Sequence, residues 1–399
     1  MKKLFVVMSV MAFAMMGVMV TPKESAAVPS FARQMNLPCF SCHYQHIPKL
    51  NAFGRSFKAG GFTDAAVDLI EDELVSVPAT APVSFVIKYR YQQATNKTSS
   101  DPKVGLERGE WQVYDEAAAW FAGRAGKNVG YAVEFPGPAV SSKVVFTGTV
   151  GDVRAGLVAF ATDALGPFWG MDLSNTGVVR SARAFEHRKE TSAAQASGLG
   201  DGEVTGLTLY ANTGLIFAAV GLWGPAIEGP DTGFDLSTSY RVAVMPTLGG
   251  FDTLIGVFGT AGKTKCGNCG NLGLDGTAIA EVKTEALGVD LQAQGDVGGM
   301  TLELQAQYVT VSANDVMYKK GDYLSAQAEL GLSKALVLGL AYGNTTDKSG
   351  SSDLKTSAIT GKLTWNLAQN VSITPEYTVY SEDGRSKDNQ LTVMVFAGF

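Results

Sequence analysis

From Val83 to the end of the chain, apolar residues recur at every second position. Val83, Phe85, Ile87, Tyr89 and Tyr91 fall on one face, and Ser84, Lys88, Arg90 and Gln92 on the other. Leu287, Val289, Leu291 and Ala293 alternate in the same way with Gly288, Asp290, Gln292 and Gln294. Val371, Ile373, Tyr377 and Val379 alternate with Ser372, Thr374, Glu376 and Thr378. A period of two puts one apolar and one polar face on an extended strand. A long series of such strands fits either a soluble sandwich or a membrane barrel with its apolar face turned outward.

Three features select the barrel. The strands have about the length that crosses an outer membrane, roughly 9–11 residues. Connections alternate between tight turns, as at Ser333-Lys334 and Ala368-Asn370, and polar or Gly-rich loops at 262–281, 312–321, 345–353 and 382–387. Short turns on one side and long loops on the other are the outer-membrane pattern. The chain closes on an amphipathic strand, Leu391, Val393, Val395, Ala397 and Phe399. Its terminal Phe resembles the sorting signal of bacterial outer-membrane barrels.

Demanding the alternation gives sixteen strands, near 83–93, 110–122, 128–135, 142–150, 152–162, 203–212, 214–223, 237–247, 250–261, 282–294, 300–311, 322–332, 334–344, 354–366, 369–381 and 388–399. An even number puts both barrel ends in the periplasm and makes residues 163–202 one long outer loop. Phe168 to Val179 also has strand character, which would make the count odd or eighteen. Many sixteen-stranded porins fold an early long loop back into the lumen, an analogy of architecture. The expected fold class is all-β: a transmembrane antiparallel β-barrel of about 16 strands over residues 77–399, preceded by a small N-terminal helical segment.

Residues 1–27 read as a secretory signal. Lys2 and Lys3 precede the apolar run Leu4 to Val20, and Ser25-Ala26-Ala27 supplies small residues for cleavage before Val28. The competing reading is an uncleaved N-terminal anchor. Export takes the chain out of the reducing cytosol. No later run of about eighteen apolar residues offers a spanning helix. A net charge of −6 without a basic block excludes nucleic acid as a partner. The 46 glycines belong to turns and small lumen positions, because no phosphate-cradling loop accompanies them. No Ser-His-Asp set is present.

The chemistry concentrates in residues 28–76. Cys39-Phe40-Ser41-Cys42-His43 is a CxxCH pentapeptide. Its two thiols can each add to a vinyl group of one haem, with the adjacent histidine held under the iron as proximal ligand. A structural disulfide, or half a zinc site completed by Cys266 and Cys269, is the plainer alternative. The second pair lacks a following histidine and lies more than two hundred residues away, and export also favours haem. Pro38 and Pro48 break the region into short helices. Asp64, Asp68, Glu71, Asp72 and Glu73 suggest a short acidic helix over 64–76, and Pro78 and Pro82 mark a linker. Cys266 and Cys269 fall in an outer loop and read as a small disulfide, with a surface metal site as the alternative.

With His43 as proximal ligand, the candidates for the sixth position are His46, Met35, Met171 and His187. His46 follows His43 by three residues and shares its face on a helix, which favours a hydrogen-bonding role. Met171 and His187 lie in the long loop 163–202. For each methionine the ordinary role is packing, and a vacant sixth position stays open. His/Met ligation would raise the potential relative to bis-His. Arg33, Arg55 and Lys58 flank the motif as partners for haem propionates, or as solvated surface charges. Asp, Glu and Tyr are scattered, so no iron-binding cluster can be picked.

The run VPSFARQ, then CFSCHYQH, then PKLNAFGRSFK, followed by an alternating barrel, resembles the fused cytochrome–porin iron oxidases of Fe(II)-oxidising bacteria. The specific likeness covers residues 28–62, and the barrel agrees in kind only. The resemblance implies one covalent haem c on Cys39 and Cys42, with His43 on the iron. It implies an iron:cytochrome-type oxidoreductase in the outer-membrane lipid of a Gram-negative bacterium. Fe(II) would be the extracellular donor, and a soluble cytochrome or copper protein the periplasmic acceptor. Two other readings are a conduit for another donor or acceptor, and a diffusion porin with a haem-bearing plug. Porin-like barrels are often trimers, so a homo-oligomer is a further expectation. The haem segment is short for a free-standing cytochrome, which suggests that it sits in or at the lumen as a plug.

Overall fold

The computed structural model describes residues 30–64, 69–71, 76–94, 109–135, 141–171, 192–225, 235–266, 280–313, 318–383 and 388–399. Sixteen strands form the wall: β1 (Val83–Ala94), β2 (Glu110–Gly126), β3 (Val129–Phe135), β4 (Ser142–Val150), β5 (Val153–Thr162), β6 (Val204–Asn212), β7 (Ile216–Pro225) and β8 (Ser237–Val244). They continue as β9 (Phe251–Ala261), β10 (Ala286–Val297), β11 (Met300–Val311), β12 (Gly321–Gly331), β13 (Leu336–Asp347), β14 (Leu354–Ala368), β15 (Val371–Glu382) and β16 (Asp388–Gly398). Each pairs with its sequence neighbours, and a two-residue strand, Thr247–Leu248, lines the turn between β8 and β9. β16 pairs antiparallel with β1, from Gln390 opposite Ala94 to Gly398 opposite Val86. The sheet is therefore a closed barrel with no free edge. Phe399 seals the seam by exchanging backbone bonds of 2.8 and 3.0 Å with Phe85.

The strand count and the tight turns match the alternation read from the sequence; three local expectations change. Residues 167–171 of the suspected extra strand form a 3-10 turn, Pro167–Met171, and 172–179 lie outside the described residues. In place of an acidic helix over 64–76, Leu69–Glu71 pairs with Ser76–Pro78 as a small hairpin. Asp68, Glu71 and Asp72 would stand three and four residues apart on one helix face, where like charges repel. Within the loop 262–281, Lys263–Cys266 pairs with Ala280–Lys283, because a two-strand ladder satisfies backbone groups that a bare loop would leave to water.

Leu207, Leu209, Val242, Leu340 and Ile359 are each more than half exposed on the outer surface. An apolar belt of this extent around a closed barrel is solvated only by lipid, and the chain is an outer-membrane barrel. The inner face is polar, yet Gln292, Glu303, Glu329, Thr360 and Thr392 are all 0% exposed. Much of the lumen is filled by the described residues.

Two segments fill it. The first is residues 30–64, with α1 (Ser30–Met35), a 3-10 turn (Cys39–Ser41) and α2 (Ala52–Ala59). The second is the described part of the loop 163–202, which folds inward. Phe168 packs edge-on against Phe258 of β9, with ring centroids 5.4 Å apart. The backbone N–H groups of Ala193 and Ala194, at the start of α3 (Ala193–Ala196), donate to Ser325 Oγ (2.9 Å) and Gln307 Oε1 (3.1 Å).

The plug meets the wall at the short-turn end. Tyr44 Oη donates to the Gly295 and Leu302 carbonyls, 2.7 and 3.2 Å away, which flank the turn between β10 and β11. Asn366 Nδ2 donates to the Gln45 carbonyl (2.9 Å), Tyr210 Oη to the Ala59 carbonyl (2.7 Å), and Arg154 pairs with Asp64 (2.6 Å). Plug and wall touch so closely at Gly130 that a Cβ there would sit 1.7 Å from the Gly61 carbonyl oxygen. Short turns mark the periplasmic side of such barrels, so the plug occupies the periplasmic end of the lumen.

Candidate haem site

Pro38 is extended, and the chain then turns tightly, so that Cys42 N–H and His43 N–H both donate to the Cys39 carbonyl (3.1 and 2.9 Å). Asn51 ties this turn to α2. Its Nδ2 donates to the Ser41 carbonyl (2.9 Å), while its Oδ1 caps the helix by accepting from Gly54 N–H (2.9 Å). Gly54 packs under the motif, and a Cβ on it would fall 2.2 Å from the Cys42 carbonyl oxygen. Gly54→Ala is expected to push the pentapeptide out of place at a cost of about 1–3 kcal/mol. The readout is covalent haem per barrel, which should fall while barrel assembly, scored by electrophoretic mobility without heating, stays intact.

Cys39, Cys42 and His43 all line one cavity of about 620 Å³ between plug and wall, within the roughly 300–1,000 Å³ that suits a cofactor-sized ligand. Both thiols are free. Burial raises both, and for Cys42 the neighbouring Cys39 adds to the effect. They are held as thiols, the form in which they can add across vinyl groups. His43 Nδ1 lies 3.1 Å from the Lys49 carbonyl. A carbonyl only accepts, so Nδ1 carries the proton and Nε2 the lone pair, the tautomer an iron ligand requires. Burial pushes this imidazole down to about 4, against the opposing pull of the Lys49 carbonyl. The ring is therefore neutral at ordinary pH.

The cavity is lined by apolar plug residues, among them Phe31, Leu37, Ile47, Leu50, Phe57 and Phe62, and by charged wall residues, Lys88, Glu116, Glu134, Lys143 and Asp163. A macrocycle with apolar edges and two carboxylates suits that mixed lining. Free thiols, an oriented imidazole, sufficient volume and this lining together fit one haem c.

Of the proposed propionate partners, Lys58 lines the cavity. Arg33 reaches instead to the Val83 carbonyl, and Arg55 forms a half-buried ion pair with Asp252, so both help fasten the plug to the wall. Of the proposed sixth ligands, Met35 and His46 line the cavity. Both ring nitrogens of His46 are engaged, Nδ1 with the Ile47 carbonyl (2.9 Å) and Nε2 with Glu329 Oε2 (2.7 Å). The Met171 and Cys266 side chains, and His187 and Cys269 altogether, lie outside the described residues.

Several site residues carry no signal in the sequence. Lys143 lies in the wall, 1% exposed, with Nζ donating to the Trp169 carbonyl (2.7 Å) and standing 3.6 Å over the Trp169 ring. It fastens the inward loop over the cavity. Lys88, where the β1–β2 register shifts, pairs with Glu116 (2.6 Å). Gln369, in the turn between β14 and β15, accepts from Cys39 N–H (2.8 Å). Lys49 is a plug lysine, 1% exposed, that forms ion pairs with both Glu303 and Glu329 (2.7 Å to the latter). Among the described residues, no group of three His, Cys, Asp or Glu side chains is placed to hold a metal ion.

No protein-family model and no curated protein matches the chain. Solved outer-membrane proteins are similar to it at low identity. The anion-selective porin from Comamonas acidovorans is 12% identical, over 79% of this chain and 98% of that one, with a TM-score of 0.49. OmpT of Vibrio cholerae is 9% identical, over 83% of this chain and 100% of that one, at 0.46. Pseudomonas aeruginosa OpdK, solved with vanillate, is 10% identical, over 79% of this chain and 98% of that one, at 0.43. The chain is similar to porins, and the strand pairing described above establishes its own barrel.

Proposed function

We propose that the chain is an outer-membrane c-type cytochrome that takes electrons from extracellular Fe(II) and delivers them to a periplasmic carrier. The observation that carries this reading is the convergence of Cys39, Cys42 and His43 on one large cavity inside a plugged lumen. A bound haem supplies a one-electron centre whose potential follows its axial ligands and its burial.

The residues divide the work. Cys39 and Cys42 Sγ would hold the cofactor by thioether bonds, and His43 Nε2 would offer its lone pair to the iron. The Phe31, Phe57 and Phe62 rings, stacked or edge-on within 6 Å of one another, exclude water on the plug side. Ferrous iron is the substrate here. Each ion oxidised to Fe(III) gives up one electron, and the periplasmic carrier receives it at the plugged end.

A diffusion porin with a haem-bearing plug is the second reading, favoured by the porin-like barrel itself. It requires solute flux, whereas the lumen residues that would line an open pore are buried. Two measurements on the purified holoprotein separate the readings. Stopped-flow mixing of the oxidised protein with Fe(II) is expected to give the reduced haem spectrum, and planar bilayers are expected to show conductance well below that of an open sixteen-stranded porin. Unchanged oxidised bands together with porin-like conductance would establish the diffusion porin instead. Reduction by another donor but not by Fe(II) would point to the wider conduit reading.

A further inference from the structure

We propose that Met394, on the last wall strand, is the second axial ligand of the haem iron. This inference rests on the haem reading above and names a residue of the same site.

The cavity lies between two bodies, the plug and the wall. The thiols and the proximal imidazole all come from the plug. A flat macrocycle held by that side presents its other face to the wall. The wall residues lining the cavity include carboxylates, lysines, hydroxyls and apolar groups, and a single thioether, Met394. Glu116 is paired with Lys88, and Lys143 with the Trp169 carbonyl. Haem iron accepts nitrogen and sulfur donors, and a thioether has no hydrogen-bond commitment to give up first.

The position of Met394 is unusual for its strand. Along β16 the inward residues Gln390 and Thr392 are polar, as the lumen of such a barrel requires. Its cross-strand partners on the same face are Arg90 and Thr374. The polar series is interrupted at Met394, which is 8% exposed and opens onto the cavity beside Phe396 and Val86. A closed hydrogen-bonded strand also holds a ligand more rigidly than a loop does. Met35 is the competing thioether, but it belongs to the plug, on the same body as His43. His46 offers no uncommitted ring nitrogen. A sulfur ligand on this side raises the reduction potential relative to a second imidazole, the direction that suits a ferrous donor.

The test is Met394→Leu in the full-length, haem-loaded protein. This exchange nearly conserves volume and costs under about 1.5 kcal/mol. Expected are loss of the sulfur-to-iron charge-transfer band of the oxidised protein, a lower midpoint potential, and new binding of added cyanide or imidazole. Met35→Leu should keep the band and the potential. Met394→His should restore a six-coordinate low-spin spectrum at a potential below that of wild type, and it keeps the proposal testable if the leucine variant fails to assemble. The proposal is overturned if Met394→Leu retains the band, or if Met35→Leu abolishes it; Met394 is then a packing residue only. Wild-type protein without covalent haem would instead refute the haem reading on which this inference stands.

Discussion

Replacing Cys39 and Cys42 together with serine is expected to abolish covalent haem completely while the barrel still assembles. A hydroxyl does not add to a vinyl group as a thiol does, so no thioether can form. Nothing that holds the fold depends on either sulfur. The wall is a closed sixteen-strand ladder, and the plug is fastened by Tyr44, Gln45, Lys49, Arg55 and the Cys39 backbone N–H. Cys39 is 6% exposed, and exchanging its thiol for a hydroxyl there costs about 1–3 kcal/mol, small beside a closed barrel. Haem staining after denaturing electrophoresis should vanish, while the mobility shift between unheated and boiled samples persists. Stain that survives in the double variant would show that the pentapeptide is not the attachment site.

The second large effect lies in the buried charge cluster that joins plug to wall. Lys49 pairs with Glu303 and Glu329, and Glu329 also meets Lys362 (2.5 Å) and His46 (2.7 Å). Two lysines, Lys49 and Lys362, oppose two glutamates. Lys49→Met takes away the lysine that Glu303 pairs with, in a site where Glu303 and Glu329 are both 0% exposed. Breaking a buried pair from one side costs about 3–5 kcal/mol. Glu303 keeps its bonds from Gln294 (2.9 Å) and Gln305 (3.2 Å), and Glu329 keeps Lys362, so the wall itself should hold. The loss should fall on plug docking. Single-channel recordings are expected to show frequent openings absent from wild type, and protease added from the periplasmic side should cut within residues 30–64. Wild-type conductance and protection in Lys49→Met would mean that the cluster does not hold the plug.

The barrel was legible because its signal is local and repeated. Alternation in a strand such as Leu287 to Gln294 depends only on which side of one sheet meets lipid, and sixteen copies of it leave little freedom in the count. Where the pattern was weak, the reading slipped. The acidic run after Asp64 looked helical by composition, yet Leu69–Glu71 found a partner strand instead. The CxxCH pattern was visible for a similar reason, since it needs only five adjacent residues. The propionate candidates were less so. Arg33 and Arg55 lie close to the motif in sequence but are turned to the wall, whereas Lys88 and Lys143 reach the cavity from strands remote in sequence.

The sequence by itself determined a closed, lipid-facing barrel, an exported chain and a CxxCH motif, because periodicity and adjacency are properties of short stretches. Only the tertiary structure decided that the CxxCH segment stands at the periplasmic end of the lumen, and which side chains surround it. Those contacts join residues as far apart as Cys39 and Gln369, or His46 and Glu329, which are 330 and 283 positions apart. Barrel closure and strand register bring them together, and no local pattern in the chain encodes that distance.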